Sequence, residues 1–434
     1  MAWEYVEIPN TFLIGAAQMA NDLSAIMPKI IARGLMLLRP KFVVPRTINS
    51  DYSKEATKKG TVINIPIAAN VGVRDVTPGP VKPNNVDLTL SQAEIRLDQW
   101  KQNDPIHLTD KELAEIDSKE HFLPMQMQSA LNGLAAAVNT QIVSNYKGPT
   151  NGIFNVWGTP GTTPFADTNT SNPNYGVKPA TNAMRILNSE NSPDENRSAI
   201  LNYTAEAAAM ELATFHEADK TGTRENRLQG DIGRVMGIDW YGTAGVLTHT
   251  AGTVINNSSA RELAVNNSGG YAAGTSALNV DKGAASTATG TLVLGDIIKF
   301  AGHSQTYTVI ANPASGNYSN GAYTLGSNAV SGLMIYPPLR APVIDDEVIT
   351  IMASHVVNMA YHRDAFGFAM RSLQSENALL NSIGGSIIQS YQDPMTGIVL
   401  RLEVSRQHKQ VTWEFDILWG SSLVRPELAV RLIG

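Results

Sequence analysis

The clearest alternation of apolar and polar positions lies late in the chain. Leu400, Leu402 and Val404 alternate with Arg401, Glu403 and Ser405. After a polar turn at Arg406–Lys409, Val411, Trp413, Phe415 and Ile417 alternate with Thr412, Glu414 and Asp416. A period of two over this length predicts a half-buried antiparallel hairpin. A helical period governs two earlier segments. Leu13, Ala16, Ala17, Ala20, Leu23, Ile26, Ile30 and Ile31 predict a helical arm over Phe12–Leu38, kinked at Pro28 and ended by Pro40 and Pro45. Met127, Leu131, Leu134, Val138, Ile142 and Tyr146 step by three or four and predict a long helix with one apolar face, entered near Pro124 and stopped by Gly148-Pro149. Just upstream, Thr109-Asp-Lys-Glu112 fits a capping box.

Between arm and long helix, residues 46–105 read as an extended β excursion. Thr61–Ile67 and Val86–Leu90 are strand-like, and the segment between them, Val76–Asn85, holds three prolines. A two-stranded ribbon of this kind is marginal by itself and needs a partner. Residues 150–180, rich in Gly, Pro, Thr and Asn, predict an irregular surface loop. A helix over Thr181–Asn188, a turn at Ser192–Arg197, a short buried strand at Ala199–Leu201 and a Thr-capped helix over Thr204–Phe215 follow. From Thr243 to Met352 the texture changes to Gly, Ala, Ser, Thr and Asn with short strands at Thr291–Leu294, Ile297–Phe300, Tyr307–Ile310 and Val348–Ile351. Regular spacing of such strands predicts a small β-barrel or sandwich. Its flanks, Gly237–Trp240 and His355–Phe368, read as one α/β unit interrupted by it.

The 434 residues suffice for two or three domains, and a formal net charge of −6 argues against tight binding to nucleic acid. The absence of cysteine removes disulfides, thiolate metal sites and cysteine nucleophiles. Met1–Glu7 is acidic and lacks a basic stretch followed by an apolar one, so the expectation is a protein made and kept in a cytoplasm. No run approaches the roughly 18 apolar residues of a membrane span.

The chain carries few motifs of known chemistry. There is no H-E-x-x-H, G-x-S-x-G or phosphate-binding Walker loop. His216-Glu217 with Asp219 cannot converge three ligands from one helix end. Asp345-Asp346-Glu347 has no glycine-bracketed ligand loop, which leaves a solvated turn or an ion pair with a neighbouring subunit. Gly295–Gly302 is a strand between turns, not a phosphate cradle. The outward charges Arg401, Glu403, Glu414 and Asp416 fit either a solvated face or a charge match between subunits. No catalytic, cofactor or metal residue is assigned, and the expectation is a non-enzymatic protein without cofactor.

Three features together resemble the coat proteins of short-tailed phages of the P-twenty-two type, major capsid proteins of the Hong Kong ninety-seven fold. They are the C-terminal hairpin with Trp419-Gly420 and Arg425-Pro426-Glu427, the segment Leu294–Gly302 followed by Tyr307-Thr-Val309, and the order of elements along the chain. The resemblance implies an α+β fold. Residues 1–45 would be the N-terminal arm and 46–105 the E-loop, reaching over a neighbouring subunit. Residues 106–149 would carry the spine helix, 150–242 and 353–434 the axial and peripheral domains, and 243–352 an inserted β-barrel domain. By ribbon position, Asp51, Lys54, Glu55, Lys58, Lys59, Arg74 and Asp75 are the candidate intersubunit contacts. The implied partners are further copies of the chain in pentamers and hexamers, a scaffolding protein, a portal protein at one vertex and packaged double-stranded DNA touched non-specifically. A decoration protein outside is left open, and no membrane is involved. The implied location is the virion, assembled in the host bacterial cytoplasm. The sequence departs from the resemblance in its long 150–180 loop and in Asn256–Gly274, where Arg261 and Glu262 are the only charges. The alternatives are a β-rich adhesin-like surface protein that binds through residues 243–352, and a hydrolase with a dispersed site.

Overall fold

The computed structural model describes residues 31–38, 41–52, 62–67, 91–109, 125–216, 232–373, 386–392 and 397–434, with positions 75, 76, 78 and 111 besides. Of the helix expected over Phe12–Leu38, residues 31–38 are described and helical, and Ile31, Leu35 and Leu38 are buried along one face. The ribbon strand expected at Val86–Leu90, together with Glu112 and Pro124, lies outside the described residues. Thr109 ends the strand Ile106–Thr109, in which buried Ile106 and Leu108 alternate with exposed His107 and Thr109, and Asp110 and Glu112 of the expected capping box lie outside the described residues.

The C-terminal hairpin is present and longer than its clearest alternation. Val399–Gln407 pairs with Gln410–Leu423 in the register Leu402↔Phe415 and Val404↔Trp413, with Lys409 at positive φ in the turn. The 14-residue strand Gln410–Leu423 organises a six-stranded sheet, because it also pairs with Gln99–Gln102, Ile106–Thr109 and Phe366–Met370. Among the described residues, Ser386–Gln392 forms the sheet's edge beside Val399–Gln407. On the inner face lies the helix Met125–Ser144. All six residues of its expected stripe, Met127 to Tyr146, are buried, in one core with Leu400, Leu402, Val404, Val411, Trp413, Phe415 and Ile417. Asn139 is the polar exception. Its side chain donates to the Lys41 carbonyl at 2.8 Å, which ties the helix to the turn leading into Val43–Thr47.

A second, seven-stranded mixed sheet carries Val156–Gly158, Ala429–Ile433, His355–His362, Arg197–Leu201, Ile238–Gly242 and Gly233–Val235 in that order, with Thr248–His249 against His355–His362. Two of its pairings are parallel. The segments expected on either side of the interruption, Ile238–Gly242 and His355–His362, both lie in this sheet, with Arg197–Leu201 between them. Lys178–Ser189 buries Ala180, Ala183, Ile186 and Leu187 against it. Phe165, Phe215 and Trp240 meet edge to face, with centroids 5.6–6.0 Å apart.

Two expectations need correction here. The helix after Arg197–Leu201 is capped by Asn202, whose side chain accepts from the Ala205 amide at 3.0 Å, and Thr204 lies inside it. It ends at Met210 and resumes as Ala213–His216, an offset that carries Phe215 into the aromatic cluster. Residues 150–180 are not only surface loop. Ile153, Phe154 and Phe165 are buried, and Val156–Gly158 extends the sheet. The glycines and asparagines there serve close approach: Gly158 has φ +125° against the Ile433 carbonyl, and the Asn174 amide donates to Ile433 and Thr159.

Between these strands the chain closes a six-stranded antiparallel barrel. Its strands run in the order Glu262–Val265, Ala277–Asp281, Ala329–Tyr336, Tyr307–Ile310, Ile297–Phe300, Val348–Ile351 and back to the first. It has its own core, which includes Leu278, Phe300, Tyr307, Leu333 and Ile349. The α+β class with a late closed barrel is therefore as expected.

Candidate functional site

Three places bear on function: the root of the ribbon, the outer face of the six-stranded sheet, and the seat of the barrel. At the ribbon, Val62–Ile67 and Ser91–Arg96 pair with each other and form a sheet of their own. Ile63, Ile65 and Ile95 bury one face against Ala369 and Val424. Two glycines permit this seat. A Cβ at Gly367 would stand 2.6 Å from Ile95 Cδ1, and one at Gly420 would run into the Arg96 carbonyl. Of the seven candidate contact residues, Asp51 and Asp75 are described; Lys54, Glu55, Lys58, Lys59 and Arg74 lie outside the described residues. Asp51 is exposed and pairs with Arg363 of its own chain at 3.1 Å, and Asp75 is exposed.

The outer face of the hairpin is not merely solvated. Arg401 grips Asp416 with both its Nε (2.8 Å) and its Nη2 (2.5 Å), and the Trp100 indole donates to the same carboxylate at 2.9 Å. Asp416 is 4 % exposed, and the Arg401 guanidinium stands 5.7 Å from the Trp100 ring centre. A bidentate pair under an aromatic lid is a stiff, partly desolvated contact. Alternation placed these residues outward correctly, but it could not show that Gln99–Gln102 crosses beside them. Trp100 itself is 59 % exposed. On the opposite face of the sheet's edge strand, Ile387 and Tyr391 are exposed too.

The third place was not foreseen. A polar cluster is buried where the barrel meets the main body. Asp296, in the tight turn before Ile297–Phe300, is fully buried. It accepts from the Val293 amide (2.8 Å), the Gly252 amide (3.2 Å) and His249 Nε2 (2.9 Å). Because the carboxylate can only accept, Nε2 carries the imidazole proton and Nδ1 accepts from the Tyr146 hydroxyl at 2.8 Å. Tyr146 lies in the turn just after the long helix. Its ring lies 4.7 Å from the Arg431 guanidinium, which donates to the carbonyls of Gly295 (2.9 Å) and Tyr146 (3.2 Å). Arg431 is fully buried in the strand Ala429–Ile433. Burial pushes it down to about 10, so it stays cationic at neutral pH, and burial pushes the Tyr146 hydroxyl up to about 12. The His249 ring lies 5.2 Å from that of His355, which burial pushes down to about 3. Burial also holds His249 below the ordinary histidine range, against the opposing pull of Asp296. The sequence presents Gly295–Gly302 as a strand between turns, and nothing in its spacing announces partners at Tyr146, His249 and Arg431.

The other motifs stay structural. His216 ends its short helix, and Glu217 and Asp219 lie outside the described residues. Asp345 accepts from the Asn267 amide and Glu347 from the Gly302 and Ile344 amides, so the acidic triplet caps turns around the barrel. Among the described residues no group of three or more His, Asp or Glu is placed to hold a metal ion. No helix among them is long and apolar enough to cross a membrane.

No family model matches the chain, and no curated protein is similar to it. Similar solved structures include one of Mycobacterium phage Che8, at 10 % identity over 89 % of each chain with a TM-score of 0.44. Another is the capsid of the cyanophage P-SCSP1u, at 12 % identity over 90 % of this chain and 86 % of that one, with a TM-score of 0.42. A third is a virus-like particle from Pyrococcus furiosus, at 8 % identity over 93 % of this chain and 98 % of that one, with a TM-score of 0.40. The architecture that the sequence resemblance implied, an α+β body with a barrel entered late and left before the C-terminal hairpin, is the architecture observed.

Proposed function

We propose that the chain is a shell-forming protein, the major capsid protein of a tailed bacteriophage, which acts by assembly and not by catalysis. The observation that carries this reading is the ribbon. Among the described residues, Val62–Ile67 and Ser91–Arg96 pair only with each other and are rooted by isoleucines on the six-stranded sheet, and a two-stranded ribbon of this kind calls for a partner, here a second copy. Extended main-chain pairing multiplied over many copies suits a lattice in which each contact is modest. The exposed Ile387 and Tyr391 on the sheet's edge strand supply a second surface of the same kind. In this reading residues 46–105 are the E-loop, the long helix is the spine, and the barrel is an inserted domain spanning 243–352. Pentamers and hexamers enclose the genome, with scaffolding and portal proteins as partners, and assembly takes place in the host cytoplasm.

The test is negative-stain microscopy with light scattering on the purified chain, alone and with a co-expressed scaffold. Closed shells or capsomer rings are the expected result. A monomer or small oligomer under every condition would return attention to the barrel as a binding module. The contact residues have their own test. Reversing Lys58 and Lys59 to glutamate is expected to abolish or misdirect assembly while leaving the monomer's circular dichroism unchanged. Unaltered shells would remove both from the contact set.

A further inference from the structure

The buried cluster joins three parts of the chain that have separate cores. Tyr146 and Lys147 follow directly on the long helix, Arg431 belongs to the seven-stranded sheet with His249 and His355, and Gly295 and Asp296 form the turn that enters the barrel strand Ile297–Phe300. The charged and titratable groups facing His249 are Asp296, Arg431, Lys147, Tyr146 and His355, and those facing His355 are Arg431 and His249. With both imidazoles neutral, Asp296 and Arg431 balance. One added proton leaves an uncompensated buried cation, with Arg431 fixed beside it and Lys147 at the margin.

The hydrogen bonds give that proton no place. His249 uses both ring nitrogens, so a proton on Nδ1 would displace the one donated by Tyr146. His355 donates Nδ1–H to the Ala353 carbonyl at 2.8 Å, and its Nε2 is buried with no hydrogen-bond partner. A proton there would create an N–H without an acceptor.

We propose that this junction is a proton-operated latch, in which proton uptake by His249 or His355 loosens the barrel from the long helix and the C-terminal strand while both cores remain folded. The other side of the seat serves as the hinge. There Arg340 pairs with Glu190 at 2.8 Å, the Thr306 hydroxyl donates to the Phe154 carbonyl at 2.6 Å, and Phe154 packs on Tyr336. None of those contacts uses a histidine. The latch concerns the chain itself and stands whether or not the chain builds a shell.

The direction follows from linkage. Both histidines are held below the ordinary 6.5 in the folded chain. The opened junction therefore takes up protons first. The latch is fully closed above that ordinary value and weakens as the pH falls below it, before ordinary carboxylates titrate.

Hydrogen-exchange mass spectrometry on the full chain tests this at about pH 7.5 and about pH 5, with labelling times scaled for intrinsic exchange. Peptides carrying the Gly252 and Val293 amides, which donate to Asp296, are expected to open at least about tenfold more at the lower pH. Peptides from the barrel strand Ala329–Tyr336 and the helix Met125–Ser144 are expected to hold. Equal protection at both pH values, or loss in the barrel strand to the same degree, would overturn the proposal. In the double variant His249→Gln, His355→Gln the pH response should vanish, and its persistence would also overturn the proposal. Should that variant not fold, histidine NMR on the wild-type chain decides. Two imidazoles that stay neutral through the ordinary range support the latch, and ordinary titration of both in the folded chain excludes it.

Discussion

Arg431 concentrates the unusual energetics of this molecule. A fully buried guanidinium is tolerated because backbone carbonyls and an aromatic face replace its water. Removing one party to such an arrangement strands the others without solvent. Arg431→Met is therefore expected to cost about 3–5 kcal/mol, read as a lowered thermal unfolding midpoint. Arg431→Lys should recover only part of it, since an ammonium lacks the planar guanidinium whose two nitrogens reach the two carbonyls while its face lies on the Tyr146 ring. Full recovery by lysine would show that charge alone matters at this position. In the sequence Arg431 is one basic residue in a run of valine, leucine and isoleucine. Its isolation hints at burial, but its partners Gly295 and Tyr146 are too distant in the chain for any local pattern to show them.

Elements whose signals are local and repetitive were legible. The long helix buries the stripe read from its spacing, the C-terminal hairpin pairs as alternation requires, and the barrel strands Ile297–Phe300, Tyr307–Ile310 and Val348–Ile351 begin and end where expected. Signals that depend on what lies across a sheet were not. Ile106–Thr109 is a strand because Gln410–Leu423 pairs with it, and nothing near it in the sequence announces that partner. Val156–Gly158 looks like loop because its strand character comes from pairing with Ala429–Ile433. The ribbon root belongs to the same class: it rests on Gly420, whose neighbour is the Arg96 backbone rather than anything near it in the chain. Gly420→Ala is expected to push Ser91–Arg96 off the sheet. The check is faster proteolysis within residues 62–96 with the helix Met125–Ser144 still protected, and an unchanged digestion pattern would mean that the seat tolerates a methyl group.

At the scale of the whole molecule, separate cores are assembled by contacts that span most of the sequence. The barrel closes with strands drawn from Glu262 to Ile351, while its seat needs Tyr146 from before it and Arg431 from well after it. That separation has a consequence for biosynthesis. A ribosome delivers every strand of the barrel before it adds Arg431, so the barrel can close around Asp296 while the arginine that balances it does not yet exist. During that interval only His249 and nearby amides attend the carboxylate. The nascent chain thus carries a finished barrel on an unfinished socket, and docking waits for a strand translated long after the part it receives.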